Sequence, residues 1–256
     1  MLALVSPAKK LNFSDDVTDL PHSQPQFQED SAELIERARR LSRAELQRLM
    51  KLSEKLTELN FQRFKSYTTP FTTANARQAV LAFNGDTYVG LDAKTLNADD
   101  LAFAQGHLRI LSGLYGMLRP LDLIQPYRLE MGRRLNNSRG ADLYDFWGES
   151  LAAAIDDAVV DHREPVVINL ASNEYFKAAK PGKMKSRVIT PVFKEVKNGE
   201  AKVLGMFAKR ARGMMARYII RNRLENSEDL KNFNDGSYAW QAHLSGDDAW
   251  VYTRER

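Results

Sequence analysis

The amino-acid sequence predicts a single mixed α/β (α+β) domain over residues 1–256, with a central sheet, surrounding helices and β-hairpins. Two short apolar runs, "LALV" and "PVVINLAS", are typical of buried strands, and the second has the pattern of a parallel strand that leads into a loop and helix. Long segments with helical spacing of apolar residues lie between and after these runs. No internal repeat, low-complexity tract or clear linker divides the chain, so we expect one domain.

The individual elements follow from apolar spacing and from the residues at their ends. Ser42 and Glu45 have the spacing of a capping box at the start of a helix. Asn-Gly dipeptides, which are typical of hairpin turns, occur at residues 84–85 and 198–199. In chain order the sequence predicts a strand at 2–5, helices from Ser31 and from Ser42, a strand near 79–83, helices over 98–111 and 141–162, a strand at 165–172 followed by a helix capped by Ser172, a hairpin over 186–208, a helix over 209–224 and a last hairpin over 238–255.

The composition excludes several kinds of site. The sequence has no cysteine, which rules out disulfides, zinc knuckles, iron–sulfur clusters and a thiol nucleophile. Its four histidines are scattered without the spacing of a metal-binding pair, so we expect no structural metal and no cofactor, although a carboxylate-bound Mg²⁺ stays open. No apolar run approaches the ~20 residues that span a bilayer, and the first residues lack the features of a signal peptide. We therefore expect a cytoplasmic protein without a membrane partner.

Basic charge is concentrated in two segments, although the net charge of the chain is only +4. Residues 201–224 contain seven basic residues and no acid, and residues 119–140 contain five arginines against Asp122 and Glu130. Segregated positive charge attracts polyanions. The helix predicted at 209–224 is thus either a track for a phosphate backbone or an amphipathic helix whose long basic side chains cover apolar surface.

Polar residues follow the predicted strands at their carboxyl ends, where α/β folds form ligand sites. "SPAKK" follows the first strand, "NLASNEY" includes the end of a second, and "TANARQA" adds further polar groups. These residues either converge on one pocket or only cap loops and turns. The candidates are Ser6, Lys9, Asn75, Arg77, Asn169, Ser172 and Glu174.

The segment "LSGLYGMLRP" at residues 111–120 places Gly113 and Gly116 in an apolar run. A helix-hairpin-helix element would let these glycines approach a DNA phosphate closely and donate backbone N–H groups to it. The spacing G-L-Y-G differs from the usual G-h-G, and Pro120 leaves too little room for a full second helix. The alternative is one helix that ends at a glycine and continues as an ordered loop.

Five long blocks of sequence occur in order between Met1 and about Arg256: "LVSPAKKL", "TANARQAVLAFNGDTYVGL", "LSGLYGMLRPLDLIQPYRLEMG", "NLASNEYFK" and "FAKRARGMMARYII". They closely resemble the YaaA peroxide-stress family. The resemblance implies a bacterial cytosolic protein that keeps free intracellular iron low under hydrogen peroxide stress and so limits Fenton damage to DNA. It also implies DNA binding by a single α/β domain with a positively charged cleft and a helix-hairpin-helix-like element.

The resemblance implies cleft residues but no catalytic ones. Block by block, it implies that the cleft contains Ser6, Lys9, Asn75, Arg77, Arg119, Tyr127, Arg128, Glu130, Asn169, Ser172, Glu174, Lys209 and Arg212. Together with the basic segments, it predicts a nucleic-acid surface formed by Lys9, Arg77, Gly113, Gly116, Arg119, Arg128, Arg133, Lys209, Arg210, Arg212 and Arg217.

Two functions are consistent with these residues. The first is sequence-independent binding of double-stranded DNA or another nucleic acid by a monomer; contact with about six phosphates would lower affinity on the order of a thousandfold between low and moderate salt. The second is an enzyme acting on a nucleotide or nucleic acid in the same cleft, with Lys9, Glu130 and Glu174 as candidate catalytic groups. Direct iron storage is not expected, because no histidine lies three residues after a glutamate.

Overall fold

A computed structural model describes residues 1–14 and 20–255 of the chain. It confirms a mixed α/β domain with a central sheet and surrounding helices. The strands are β1 (Leu2–Val5), β2 (Lys10–Leu11), β3 (Arg77–Gln78), β4 (Phe83–Asn84), β5 (Leu108–Ser112), β6 (Gly116–Leu118), β7 (Leu123–Ile124), β8 (Val166–Leu170), β9 (Arg187–Lys197), β10 (Glu200–Lys202), β11 (Ala239–Trp240) and β12 (Ala249–Glu255). The α-helices are α1 (Gln28–Arg39), α2 (Arg43–Met50), α3 (Glu54–Ser66), α4 (Ala79–Ala82), α5 (Asp86–Leu91), α6 (Ala98–His107), α7 (Leu143–Trp147), α8 (Ser150–Val159), α9 (Asn173–Phe176) and α10 (Gly205–Arg221).

The central sheet has eight strands in the order β11-β12-β9-β8-β1-β5-β6, with β10 paired to β9. The strands β12, β9, β8, β1 and β5 run parallel, and β11, β10 and β6 pair antiparallel to their neighbours. Every residue of β1, β5 and β8 is buried. Because these three strands are adjacent and parallel, their carboxyl ends open onto the same edge of the sheet.

The capping box and the two hairpins predicted from the sequence are confirmed, except that the second strand of the hairpin over 186–208 ends at Lys202 and residues 205–208 belong to α10. Ser42 accepts a hydrogen bond from the Glu45 N–H, and the Glu45 carboxylate accepts one from the Ser42 N–H at 2.8 Å. Asn198 and Gly199 both have positive φ, which suits the tight turn between β9 and β10. The strands β11 and β12 form the last hairpin.

Several predicted elements differ from the structure, among them the helix expected over 141–162, which Gly148 divides into α7 and α8. The run from Ser42 is two helices, because Lys51 adopts a left-handed conformation after α2 and Ser53 caps α3. The strand expected near residues 79–83 is mostly the short helix α4, and the helix expected over 98–111 ends at His107. In these last two cases a short apolar segment is compatible with helix or strand, and its contacts with the rest of the protein decide between them.

The glycine segment forms a buried β-hairpin, so both interpretations of residues 111–120, a helix-hairpin-helix element and a helix that ends at a glycine, are wrong. It joins β5 to β6, and Gly116 supplies a φ of +68° at the turn. A Cβ on Gly113 would lie 2.3 Å from the Leu129 carbonyl oxygen, and the Trp147 Nε1–H donates to the Gly113 carbonyl at 3.1 Å. Both glycines are therefore needed for close packing inside the protein and are buried away from solvent.

Helices α5 and α10 touch through their glycines. A Cβ on Gly213 would lie 1.8 Å from the Thr87 carbonyl oxygen, and one on Gly90 would lie 2.1 Å from the Arg210 carbonyl oxygen. No larger side chain fits at either position without separating the helices. This contact fixes α10 beside the turn that precedes α5.

The hydrophobic core encloses most of the methionines. Five of the eight are buried, and Met184 and Met214 are partly buried against the core. Met206, in the first turn of α10, is 61% exposed. The five buried methionines are Met1, Met50, Met117, Met131 and Met215.

Candidate functional site

A cleft of about 710 Å³ lies at the carboxyl ends of β1 and β8. Its walls are formed by the segments 6–10, 84–88, 127–130 and 170–175, together with Lys209 and Arg212 of α10. Ser6, just after β1, and Ser172, just after β8, tie two of these segments together. The Ser6 Oγ accepts a hydrogen bond from the Ser172 N–H at 2.8 Å and donates to the Ser172 Oγ at 3.3 Å.

Glu130 is a buried carboxylate bonded to three cations. Its Oε1 lies 3.2 Å from both the Lys9 Nζ and an Arg128 Nη, and its Oε2 accepts from the Arg133 Nε at 3.0 Å. Burial alone would raise the pKa of Glu130, but the bond to Arg133 and the charges of Arg133, Arg128 and Lys9 outweigh it, so the pKa lies below its ordinary value. A carboxylate held in this way is a weak base and serves mainly to position cations.

Glu174 is the less restrained of the two candidate carboxylates. One of its oxygens accepts a hydrogen bond from the Gly132 N–H at 2.9 Å, and the side chain is exposed in the cleft. Within residues 1–14 and 20–255, no lysine or arginine lies within ion-pair distance of it. Its remaining lone pairs can therefore accept a proton or a hydrogen bond from a ligand.

Arg212 is a half-buried cation without a protein counterion. It lines the cleft, and within the described part of the chain it has neither an ion pair nor a side-chain hydrogen bond. Burial lowers the pKa of Arg212 below its ordinary value, which reflects the cost of keeping a charge there. Lys209, one turn earlier and exposed, likewise has no partner among the residues that the structure describes. Arg212 and Lys209 thus place two positive charges without a described counterion on one face of α10.

The tyrosines of the cleft have structural contacts. The Tyr88 hydroxyl donates to the Ser6 carbonyl at 3.1 Å, and the Tyr127 hydroxyl lies 2.6 Å from the Ser112 Oγ. Burial raises the pKa of Tyr88, Tyr127 and Tyr175 well above the ordinary value for tyrosine. These side chains stay protonated at neutral pH and supply apolar surface to the cleft.

Several residues that the sequence places in a shared pocket lie elsewhere. Asn75 closes its own loop, since its Oδ1 accepts from the Thr72 N–H at 2.9 Å and its Nδ2 donates to the Pro70 carbonyl at 3.0 Å. Arg77 belongs to β3 and donates to backbone carbonyls of the preceding residues. Asn169 is buried within β8, where its Oδ1 accepts from the Ala171 N–H at 3.1 Å.

Two of the arginines in the predicted nucleic-acid surface hold the fold together. Arg119 pairs with Asp122 at 3.0 Å and donates to the Gln24 carbonyl at 2.9 Å. Arg217 donates to the carbonyls of Leu91 and Asp92 at 3.0 and 2.9 Å, which caps the end of α5. Arg133 pairs with Glu130, and Arg210 is exposed on α10.

The residues that line the cleft and were named from the sequence are Ser6, Lys9, Tyr127, Arg128, Glu130, Ser172, Glu174, Lys209 and Arg212. The sequence reasoning missed the turn 84–87 and Lys10 as parts of the same cleft. Lys10 is the last residue of the segment "SPAKK" (residues 6–10), and the pairing of β2 with β4 places it opposite Asn84. The Asn84-Gly85 dipeptide in the sequence could have indicated that this turn belongs to the cleft.

The described residues show neither a metal cluster nor a membrane helix. Among residues 1–14 and 20–255, no group of three or more His, Cys, Asp or Glu side chains is arranged to hold a metal ion. No helix in those ranges is both long and apolar enough to cross a membrane.

Comparison with known proteins gives a consistent result over the whole chain. A family model described as "Peroxide stress protein YaaA" matches residues 1–244. The chain is 56% identical to a UPF0246 protein of Magnetococcus marinus over 254 residues, which is 99% of each chain. It is 52% identical over 256 residues to a UPF0246 protein of Alteromonas mediterranea, covering 100% of this chain and 99% of the relative. A UPF0246 protein of Ralstonia nicotianae is 51% identical over 255 residues, with 100% and 99% coverage.

Proposed function

Because the chain belongs to the peroxide stress protein YaaA family, we propose that it protects the cytoplasm against hydrogen peroxide by binding nucleic acid in its basic cleft, without reading sequence. In this proposal, the protein limits free intracellular iron and the Fenton damage that iron causes to DNA. Binding depends on phosphate contacts, which carry no sequence information.

The observation that carries this proposal is the half-buried guanidinium of Arg212. A folded protein rarely retains a desolvated charge without a partner unless a ligand supplies the opposite charge. Lys209 lies beside it, and the exposed Lys10 and Arg210 also lack an ion pair among the described residues. Phosphate is an anion that matches such a group of lysines and arginines.

The proposed nucleic-acid surface is smaller than the sequence alone suggests. Gly113 and Gly116 are buried, and Arg77, Arg119 and Arg217 are committed to the fold. If about three phosphates are contacted, affinity falls about 40-fold between about 50 and 200 mM salt, rather than a thousandfold.

Fluorescence anisotropy with a labelled short duplex and a labelled single strand tests the proposal. Arg212→Gln and Lys209→Gln are each expected to weaken binding by about tenfold. Each is also expected to reduce the slope of log affinity against log salt concentration by about one unit, the contribution of one phosphate contact. Arg48→Gln is the matched control, since Arg48 is exposed on α2, away from the cleft. Binding that does not change with salt, or that falls equally in the control, would count against the cleft as the binding surface.

The cellular part of the proposal needs its own measurement. A strain that lacks the protein is expected to contain more chelatable iron and to survive peroxide less well. The parent chain and Arg48→Gln are expected to restore both properties, and Arg212→Gln is expected to restore neither. If Arg212→Gln restored both properties fully, protection against peroxide would not depend on anion binding in this cleft.

A second candidate function is an enzyme that acts on a nucleotide or nucleic-acid substrate in the same cleft. The exposed carboxylate of Glu174, which has no cation partner in the described chain, favours it. Such a group can accept a proton from a substrate, whereas Glu130 is committed to three cations. Glu174→Gln is then expected to keep duplex binding but to lose protection in cells; unchanged protection would rule out a catalytic Glu174.

A further inference from the structure

We propose that the cleft receives one unpaired nucleotide, with its phosphate on Arg212 and Lys209 and its base or sugar beside Glu174. This inference rests on the proposed nucleic-acid binding and names the part of the nucleic acid that enters. The ligand class is a nucleoside monophosphate unit, either free or at an unpaired strand end, rather than the backbone of an intact duplex.

The size of the cleft favours a ligand of this kind. Its volume of about 710 Å³ lies within the range of about 300–1,000 Å³ that small-molecule sites usually have. A duplex can touch the exposed Lys10 and Lys209 at the mouth of the cleft. Arg212 is half-buried, so full contact with it requires a group that enters the cleft.

Arg212 and Lys209 supply the phosphate position. They are three residues apart on α10, which puts them on the same helix face. A guanidinium binds two phosphate oxygens as a fork, and an ammonium adds a point charge. The contact between Gly213 and the Thr87 carbonyl holds α10 in place before a ligand arrives, which lowers the entropic cost of binding.

Glu174 supplies an acceptor that a phosphate backbone does not need. Its carboxylate repels phosphate but accepts hydrogen bonds from the amino groups of bases and from sugar hydroxyls. One of its oxygens is used by the Gly132 N–H, and the remaining lone pairs face no protein donor among the described residues. The cleft therefore combines cations for an anion with a free acceptor for N–H or O–H donors.

The cleft also has apolar surface that an inorganic anion cannot use. Ala8, Leu129 and Leu170 line it together with Tyr127 and Tyr175. Base rings gain stability by packing against apolar and aromatic side chains. A ligand with a phosphate, hydrogen-bond donors and a planar apolar ring matches all three parts of the lining.

Isothermal titration calorimetry of the full chain tests the inference. The probes are the four deoxynucleoside monophosphates, the matching nucleosides without phosphate, and inorganic phosphate. A monophosphate is expected to bind at least about tenfold more tightly than either part alone. Arg212→Gln is expected to weaken the monophosphate about tenfold, and Arg48→Gln to leave it unchanged. Glu174→Gln is expected to weaken the monophosphate but not inorganic phosphate.

Arg212→Lys provides a second variant, which keeps the positive charge but cannot bind two phosphate oxygens at once as a guanidinium does. It is expected to bind the monophosphate with an affinity between those of the parent and Arg212→Gln. Thermal unfolding of each variant separates loss of binding from loss of fold. Equal affinities for monophosphate and inorganic phosphate, or an unchanged affinity in folded Arg212→Gln, would overturn the inference.

Competition distinguishes this inference from the proposed function. A saturating monophosphate is expected to displace a labelled strand with an unpaired end. If duplex and single strand bind with the expected salt dependence but the monophosphate displaces neither, the inference fails and nucleic-acid binding stands. If the monophosphate binds while no strand binds, the nucleotide site stands and the proposed nucleic-acid function fails.

Discussion

Glu130→Gln is expected to lower the stability of the fold and raise the affinity of the cleft for anions. The substitution keeps the shape of the side chain, removes its charge and replaces one acceptor oxygen by a donor. Arg128 and Arg133 then lose a buried counterion, and the exposed Lys9 is released toward the cleft. A general disruption of the fold would lower both stability and anion affinity, whereas loss of this carboxylate is expected to lower stability and raise anion affinity.

The magnitudes follow from the contacts. Breaking a buried, hydrogen-bonded ion pair costs about 3 kcal/mol, and the exposed Lys9 adds little. A chain of 256 residues has an unfolding entropy of about 0.5 kcal/mol per kelvin, so Tm is expected to fall by about 6 °C. The three cations freed from the Glu130 carboxylate are expected to tighten duplex binding at low salt by about tenfold, or about 1.4 kcal/mol.

The pH dependence gives a second readout. The pKa of Glu130 in the folded protein lies below its ordinary value of 4.5, because the nearby cations outweigh burial. Stability from an acid with a lowered pKa is fully present above that ordinary value and is lost as the pH falls through the folded pKa. The difference in the free energy of unfolding between parent and variant, measured in urea, is therefore expected to be large at pH 7 and to shrink below about pH 4.5.

Glu149→Gln is the matched control for this substitution. Its carboxylate pairs with Lys183 at 3.0 Å, but both side chains are about 60% exposed, so its loss is expected to change stability by less than about 0.5 kcal/mol. An unchanged Tm in Glu130→Gln, or weaker duplex binding by a correctly folded variant, would refute the reasoning about the carboxylate and its three cations.

Three further substitutions and one control test the packing around the cleft and in the β5–β6 hairpin. Gly213→Ala is expected to cost about 3 kcal/mol in chemical denaturation, because its Cβ would meet the Thr87 carbonyl at 1.8 Å. Gly205→Ala in the same helix, which meets nothing within 4 Å, should instead stabilise by about 0.5 kcal/mol; similar costs for both would disprove the close contact. Arg217→Gln is expected to lower stability by about 1 kcal/mol and leave duplex affinity unchanged in anisotropy. Gly116→Ala, at a φ of +68°, is expected to cost about 2 kcal/mol by thermal unfolding, and an unchanged Tm would contradict the turn geometry.

Much of the sheet could be predicted from the sequence because its central strands are buried on both faces. The continuous apolar runs of β1 and β8 are typical of such strands. The run of β5 also fits a helix, and its pairing with β1, a contact across more than a hundred residues, decides the outcome. Local patterns contain no information about that pairing.

The site was only partly predictable because the arginines look alike in sequence. Arg212 and Arg217 lie on one helix in one basic run, yet the first lines the cleft and the second caps α5. Which of them is free depends on the close approach of α5, which the two small residues Gly90 and Gly213 permit. The bond between Glu130 and Lys9 likewise joins residues far apart in the chain.

The placement of the methionines determines which thioethers an oxidant can reach. Peroxide converts exposed methionine to a polar sulfoxide, and such a group in a core would disrupt its packing. Here the sulfur most open to attack is that of Met206, which is 61% exposed and contributes little to the core. In a chain without cysteine, oxidation is therefore expected to reach Met206 before the five buried methionines, and to leave core packing intact at that stage.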